Sequence, residues 1–273
     1  MVTVRKIKIA MLVLILVGTL LLVGCIQENM AIKWNNKGFA LASQGKYSEA
    51  IECFDKAIAI APNYATAWNN KGYMFYLQGK YSEAIECYDK ALELDSNYAL
   101  AWINKGNALT SQGKYSEAIE CFDKAIEINP NDADIWSNKG WALEKLGKYA
   151  EAQQCFDKAI AIDPDHVYSW ANKGTTLFEQ GKYTEAIECY DKVIELNPND
   201  IITWVNKGVA LKKQGRYPEA IECYDKAITL NPNLAIIWTN KGVALANHGK
   251  YTEAIECLDK AIEINPNFAL AWS

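Results

Sequence analysis

Apolar residues recur along this chain at helical spacing, in short blocks separated by polar and glycine-containing breaks. Residues 65–98 show the pattern. Trp68, Gly72 and Phe75 fall on one face of a first helix, and Ala84, Ile85, Tyr88, Ala91 and Leu92 form the apolar stripe of a second. Gly79-Lys80 ends the first helix, because glycine readily takes the left-handed conformation of a C-terminal cap. Ser82 is the expected N-cap of the second helix. A Pro-Asn, Pro-Asp or Ser-Asn turn closes each unit, as at Ser96, Pro130 and Pro164. Small Gly72 and Ala84 should face each other and let the helices approach, with Trp68 and Tyr88 filling the wider end and Tyr81 the turn.

The pattern repeats every 34 residues. Trp34, Trp68, Trp102, Trp136, Trp170, Trp204, Trp238 and Trp272 keep that period, as do seven cysteines from Cys53 to Cys257. No insertion interrupts the array, which gives seven helix-turn-helix units at 31–64, 65–98, 99–132, 133–166, 167–200, 201–234 and 235–268. Residues 269–273 read as the start of a truncated eighth. Trp136 is expected to be a large buried anchor of its unit.

The ordered set of Trp, Gly, aromatic or Leu, Tyr, Ala, aromatic, Ala and Pro resembles the tetratricopeptide repeat (TPR) family over residues 31–268. The resemblance implies an all-α fold, a right-handed α-solenoid (superhelix) of antiparallel helix pairs, with first helices on the concave face and second helices on the convex face. Two departures stand out. Where the family usually has an apolar residue before the first glycine, this chain has Lys37, Lys71, Lys105, Lys139, Lys173, Lys207 and Lys241. A lysine stem can lie on apolar surface, but its ammonium needs water or a partner. The acids late in each second helix, Asp55, Asp89, Asp123, Asp157, Asp191, Asp225 and Asp259, are the expected partners in a ladder of ion pairs. At the end of the array, terminal repeats normally need a polar cap. Leu258, Ala261 and Ile262 are expected to be partly uncovered, which raises end-to-end self-association as an alternative role.

The N-terminal segment has a different character. Arg5, Lys6 and Lys8 precede an apolar run from Ile9 to Val23, as in a secretory signal. The run ends Leu22-Val23-Gly24-Cys25, which resembles a lipoprotein signal peptide and implies lipidation of Cys25. The alternatives are an uncleaved anchor over Ile9–Ile26, 18 residues and near the lower limit for a spanning helix, or an ordinary secreted protein. Residues 1–24 are thus a signal peptide or membrane anchor and 25–30 a short tether. The first two readings place the repeats outside the cytoplasm, at a cell surface or in a periplasm, tethered to a membrane. The chain has 28 basic and 33 acidic residues, a net charge of -5; without the three N-terminal bases the balance is 25 − 33 = −8. An acidic surface argues against nucleic acid as a partner.

Candidate chemistry is sparse. Equivalent cysteines on stacked repeats should stand about one helix-packing distance apart, roughly 8–10 Å, which is too far for a disulfide. No Cys-x-x-Cys, Cys/His cluster, nucleotide loop or Gly-x-Ser-x-Gly occurs, and the two histidines, His166 and His248, lie in no recognisable motif. Neither a cofactor, a metal nor an enzyme activity is expected. The second residue after each repeat Trp is asparagine: Asn36, Asn70, Asn104, Asn138, Asn172, Asn206 and Asn240. An amide offers both donor and acceptor, which matches a peptide backbone regardless of sequence. The resemblance implies that asparagines at this place line the groove and hold an extended peptide; the competing reading is that they fix geometry within the array. Groove positions that vary between units should set specificity: Phe39, Tyr73, Tyr76, Asn107, Trp141, Glu144, Lys145, Phe178, Lys212 and Lys213. The basic residues of a chaperone-tail clamp are missing, their places held by Asn35, Asn69 or Thr66, so a dicarboxylate C-terminal tail is not the expected ligand. The expected function is a protein–protein interaction scaffold whose partner is another protein or peptide. A self-assembling structural module, hence a homo-oligomer, is the alternative.

Overall fold

A computed structural model describes residues 26–266. The signal-like segment, Cys25, Trp272 and the start of the eighth unit lie outside the described residues. Those described form fourteen α-helices and no strand. They pair as α1 (26–42) with α2 (Tyr47–Ile60), α3 (Ala65–Leu77) with α4 (Tyr81–Leu94), α5 (Ala99–Ser111) with α6 (Tyr115–Ile128), α7 (Ala133–Lys145) with α8 (Tyr149–Ile162), α9 (Val167–Glu179) with α10 (Tyr183–Leu196), α11 (Ile201–Lys213) with α12 (Tyr217–Leu230), and α13 (Ala235–Asn247) with α14 (Tyr251–Ile264). None of these helices is long and apolar enough to cross a membrane. The chain divides into two compact units, residues 1–130 and 131–273.

The helix pairs are tight because the first helix carries glycine where the second carries a ring. A Cβ on Gly72 would sit 2.7 Å from Tyr88 Cε1, and one on Gly140 2.6 Å from Phe156 Cε1. The first helix ends at a left-handed glycine: Gly79 has φ +74°, its N–H donates to Tyr76 O, and Lys80 N–H donates to Phe75 O across six residues. That motif leaves no room for a separate N-cap. Helix α4 begins at Tyr81 with Lys80 as its cap residue and no side-chain cap bond, so Ser82 lies inside the first turn and accepts instead from Gln112 Nε2 at 3.0 Å. The short loop, not the serine, sets the start of the helix.

In the first unit α2 packs on α3, and α4 on α5, while the first helices α3 and α5 also touch. Lys71 reaches back to Asp55 at 2.7 Å, and Lys105 to Asp89 at 2.6 Å. In the second unit the same link joins Lys173 to Asp157 at 2.6 Å, Lys207 to Asp191, and Lys241 to Asp225 at 2.6 Å. Each pair ties the first helix of one repeat to the second helix of the repeat before it, as the lysine and aspartate series predict. The lysine also lies over its own repeat's Trp, Lys71 Nζ being 5.6 Å from the Trp68 ring centroid. Buried stems and charged ends are thus both accommodated, for about 1 kcal/mol or less per half-exposed pair.

Trp indoles register the turns. Trp68 Nε1 donates to Pro62 O at 3.2 Å, Trp102 to Ser96 O at 3.0 Å, and Trp204 to Pro198 O at 2.8 Å. Trp136 is half-buried rather than fully buried, as are Trp68, Trp102 and Trp204, whose indoles keep a polar edge at the turn. The fully buried rings belong to the second helices instead: Phe54, Tyr88, Phe122, Phe156, Tyr190 and Tyr224. At the far end, Ala261 is fully buried against Ala235, with Trp238 and Ile262 beside it, contrary to its expected exposure. It faces its own partner helix. The uncovered apolar residues of α14 are Tyr251 and Ile255.

Candidate functional site

In the first unit, the face formed by α1 and α3 carries an apolar cleft of about 220 Å3. Phe39, 67% exposed, and Tyr73, 42% exposed, stand at it with Leu77, Met74 and Asn70. Three of the sequence-predicted groove residues, Phe39, Asn70 and Tyr73, therefore meet at one place. Tyr73 stacks on Tyr76 with ring centroids 6.2 Å apart, and Tyr76 leans on Tyr81 at 5.6 Å, so Tyr76 supports Tyr73 rather than standing free. Asn107 is half-buried on α5, away from that cleft's lining.

The asparagines of this unit are largely engaged with each other. Asn70 Nδ2 donates to Asn35 Oδ1 at 3.0 Å, Asn104 Nδ2 to Asn69 Oδ1 at 3.0 Å, and Asn69 Nδ2 to Asn70 Oδ1 at 3.4 Å. One amide chain thereby links α1, α3 and α5. Asn35 and Asn69 are buried, so these bonds satisfy groups that water cannot reach. For Asn70 and Asn104 the geometric role is real. Asn36, at the outer end of the series, is exposed.

The second unit differs. The residues beside the repeated asparagines are Ser137, Ala171, Val205 and Thr239, which supply no amide. Asn138, Asn172 and Asn206 are half-buried and make no side-chain hydrogen bond among the described residues. Their donors and acceptors stay available. Asn240 accepts from Lys212 Nζ at 3.4 Å. Glu144, its side chain only 8% exposed, accepts from Thr176 Oγ1 at 3.0 Å and pairs with Lys145 at 3.1 Å; Lys145 in turn lies 5.1 Å from the Trp141 ring centroid. Phe178 is turned inward, packed on Tyr183 at 5.3 Å and on the core, so it is structural more than selective.

Tyr168 and Ile202 escaped the sequence reading, yet they are 73% and 71% exposed and are the most exposed large apolar side chains described. Each lies four residues before a repeated asparagine, Asn172 or Asn206, hence on the same helix face. That offset was the available signal.

His166 has a place too. Its Nδ1 lies 2.7 Å from Ser169 Oγ and accepts from Ser169 N–H, while Nε2 lies 3.0 Å from Asp134 Oδ1. The Asp-His-Ser order is not a nucleophilic arrangement. Ser169 is fully buried and the imidazole caps helix α9. The seven repeat cysteines are buried and unbridged. Burial pushes the Cys87, Cys121, Cys189 and Cys223 thiols up to about 11, so they remain protonated and unreactive near neutrality. Among the described residues, no group of three His, Cys, Asp or Glu could hold a metal ion.

Tetratricopeptide repeat models match residues 29–97, 87–120, 133–166, 167–200, 201–234 and 235–268, and a TPR repeat model matches 106–147. Among solved structures, the C-terminal part of a TPR repeat-containing protein from Cytophaga hutchinsonii is similar at TM-score 0.70 and 21% identity, over 87% of this chain and 97% of that one. A tetratricopeptide repeat protein from Parabacteroides merdae is similar at TM-score 0.67 and 19% identity, over 89% and 96%. The Cut9-Hcn1 hetero-tetramer of the APC/C gives TM-score 0.66 and 21% identity over 86% of this chain, which spans only 46% of that one. At these identities the likeness concerns the fold. No curated protein sequence gives a significant match.

Proposed function

The chain belongs to the tetratricopeptide repeat family, and from that premise we propose that it is an interaction scaffold that holds an extended segment of another protein along its first helices. The observation that carries this reading is the cleft where exposed Phe39 and Tyr73 meet Asn70. Large aromatics left in water at a concave, mostly apolar place are the usual anchors of a protein interface. In the second unit Asn138, Asn172 and Asn206 supply the sequence-independent part, each free to bond a passing backbone. The N-terminal segment, with Cys25 as its lipidation site, would tether the array to a membrane outside the cytoplasm. No catalytic step or cofactor enters this reading.

A displayed library of C-terminally amidated decapeptides, panned on the full chain, tests it. Peptides that use the cleft of the first unit should lose about tenfold in affinity when Phe39 and Tyr73 become alanine together, and peptides that use the second unit should lose as much when Asn138, Asn172 and Asn206 do, with helix content by circular dichroism unchanged. Selected peptides that bind all three proteins equally would sink the groove. A second reading, self-association through α14, draws on the 68% exposed Tyr251 and 59% exposed Ile255. It requires a mass by light scattering that rises with concentration and returns to monomer in Ile255→Glu.

A further inference from the structure

Within the first unit α3 rests on α2, and α5 on α4. Lys71 and Lys105 are half-buried at those contacts and bonded to Asp55 and Asp89. Lys37 holds the same repeat position on α1, where the sequence before it supplies no repeat but the apolar run Ile9–Val23. It is exposed and makes no ion pair among the described residues; its ammonium lies 5.1 Å from the centre of the Trp34 ring. A second cation, Lys56 of α2, lies over the same ring at 4.5 Å. Met30, Lys33, Trp34 and Lys37 line a shallow cleft of about 360 Å3 with no acid in its lining.

This side of α1 is apolar as well as basic. Ile26, Met30 and Trp34 follow at four-residue spacing and form one stripe; Ile26 and Met30 are exposed and Trp34 is half-buried. Lys33 and Lys37 interleave with the stripe. Glu28, the acid of this helix, is turned the other way, towards Ile60, Pro62 and Tyr64. Aliphatic side chains, a tryptophan, and lysines whose stems can lie along them suit the boundary between acyl chains and headgroups. The charge of the patch suits anionic headgroups, which repel the rest of this acidic chain and so select this face. Position in the chain agrees, because only Gly24 and Cys25 stand between the Ile9–Val23 run and Ile26.

We propose that α1 lies along an anionic lipid surface through Ile26, Met30 and Trp34, with Lys33, Lys37 and Lys56 among the headgroups. The bilayer then covers on α1 the face that α2 covers on α3. The inference rests on the membrane-tether reading for what brings α1 to the bilayer, and adds how the first repeat is held against it. A tether alone leaves α1 free to stand away from the surface. At about 1.5 Å per residue, Ala40 on a standing helix would rise about 20 Å above Ile26, whereas a helix lying flat keeps both at the surface.

The test places a nitroxide on the full chain through Ala40→Cys, exposed in line with Lys33 and Lys37, or through Ser111→Cys, exposed at the end of α5. Maleimide labelling near neutral pH spares the buried repeat thiols, and the signal of the unsubstituted chain taken through the same labelling is subtracted. In vesicles of equal parts phosphatidylcholine and phosphatidylglycerol, the Ala40→Cys label should become several-fold less accessible to a water-soluble nickel chelate and more accessible to oxygen, with the Ser111→Cys label unchanged. Lys33→Glu with Lys37→Glu should return the first label to water, whereas Lys33→Arg with Lys37→Arg should not. A label on α1 as open to nickel as the one on α5 would overturn the proposal, and retention of the chain by the vesicles through a high-salt wash would then leave the tether standing. A chain lost in that wash, yet with the α1 label shielded at low salt, would keep the proposal and remove the tether. Shielding of the α1 label already present without vesicles would assign the face to a protein contact and also overturn the proposal.

Discussion

Three tyrosines at one repeat position have different surroundings. Tyr88 and Tyr224 are fully buried, and their hydroxyls have no hydrogen-bond partner. Tyr190 bonds through its hydroxyl to Thr175, and burial pushes it up to about 12. Phe54, Phe122 and Phe156 show that the position accepts phenylalanine in other repeats. A buried hydroxyl without a partner forfeits its hydration for nothing, whereas a paired one contributes about 1 kcal/mol. Tyr88→Phe and Tyr224→Phe should therefore raise stability by about 1 kcal/mol, and Tyr190→Phe should lower it by about as much, as read from urea denaturation midpoints. Equal effects at all three positions would contradict this account. The sequence marks each of these rings as a packing residue. Whether the hydroxyl finds a partner depends on Thr175, which belongs to a different helix and has no equivalent hydroxyl in the neighbouring repeats.

At the scale of the element, the helix pair is governed by the close approach of a glycine to a ring. Alanine is intrinsically better in a helix than glycine by about 1 kcal/mol. Gly140→Ala should nevertheless destabilise by about 1–3 kcal/mol, because its Cβ would meet Phe156 Cε1 at 2.6 Å. Phe156→Leu in the same background should recover part of that loss. The Gly242 site supports the reasoning, since it faces Leu258 rather than a ring and its added Cβ would lie 3.0 Å away, a lesser clash. Helix starts were less legible than helix faces. Ser82 has the chemistry of a cap, but the Gly79-Lys80 turn brings the chain into the next helix before Ser82 is reached. The lysine–aspartate links were readable because both series keep the 34-residue period. Their direction, from each lysine to the repeat before it, needs the packing of α4 on α5 and of its equivalents.

Over the whole molecule, one chemical property recurs often enough to be measured in bulk. The Cys87, Cys121, Cys189 and Cys223 thiols are raised by burial from an ordinary 9.0 to about 11. The unfolded chain loses these protons above pH 9 while the folded chain keeps them, so unfolding releases protons in that interval. The stabilisation is complete below pH 9 and falls as pH rises to about 11, by on the order of 1–2 kcal/mol per thiol. Urea midpoints under reducing conditions should decline across that window, and a variant with all four cysteines changed to alanine should decline less. An identical decline would assign it to other groups. Seven repeats, their fourteen helices, the buried faces and the ion-pair series follow from the sequence alone, because a period of 34 and helical spacing within it leave one set of apolar faces to bury. Tertiary structure alone decided which repeated residues remain available. Asn70 and Asn138 are the same residue at the same place in the repeat, yet one is held by Asn35 from a neighbouring helix and the other makes no such bond. Tyr168 and Phe178 lie on one helix, yet one is in water and the other is half-buried against the core. A one-dimensional period fixes what each residue is. The neighbour across the helix interface fixes whether its hydrogen-bonding groups, its charge or its ring are already used.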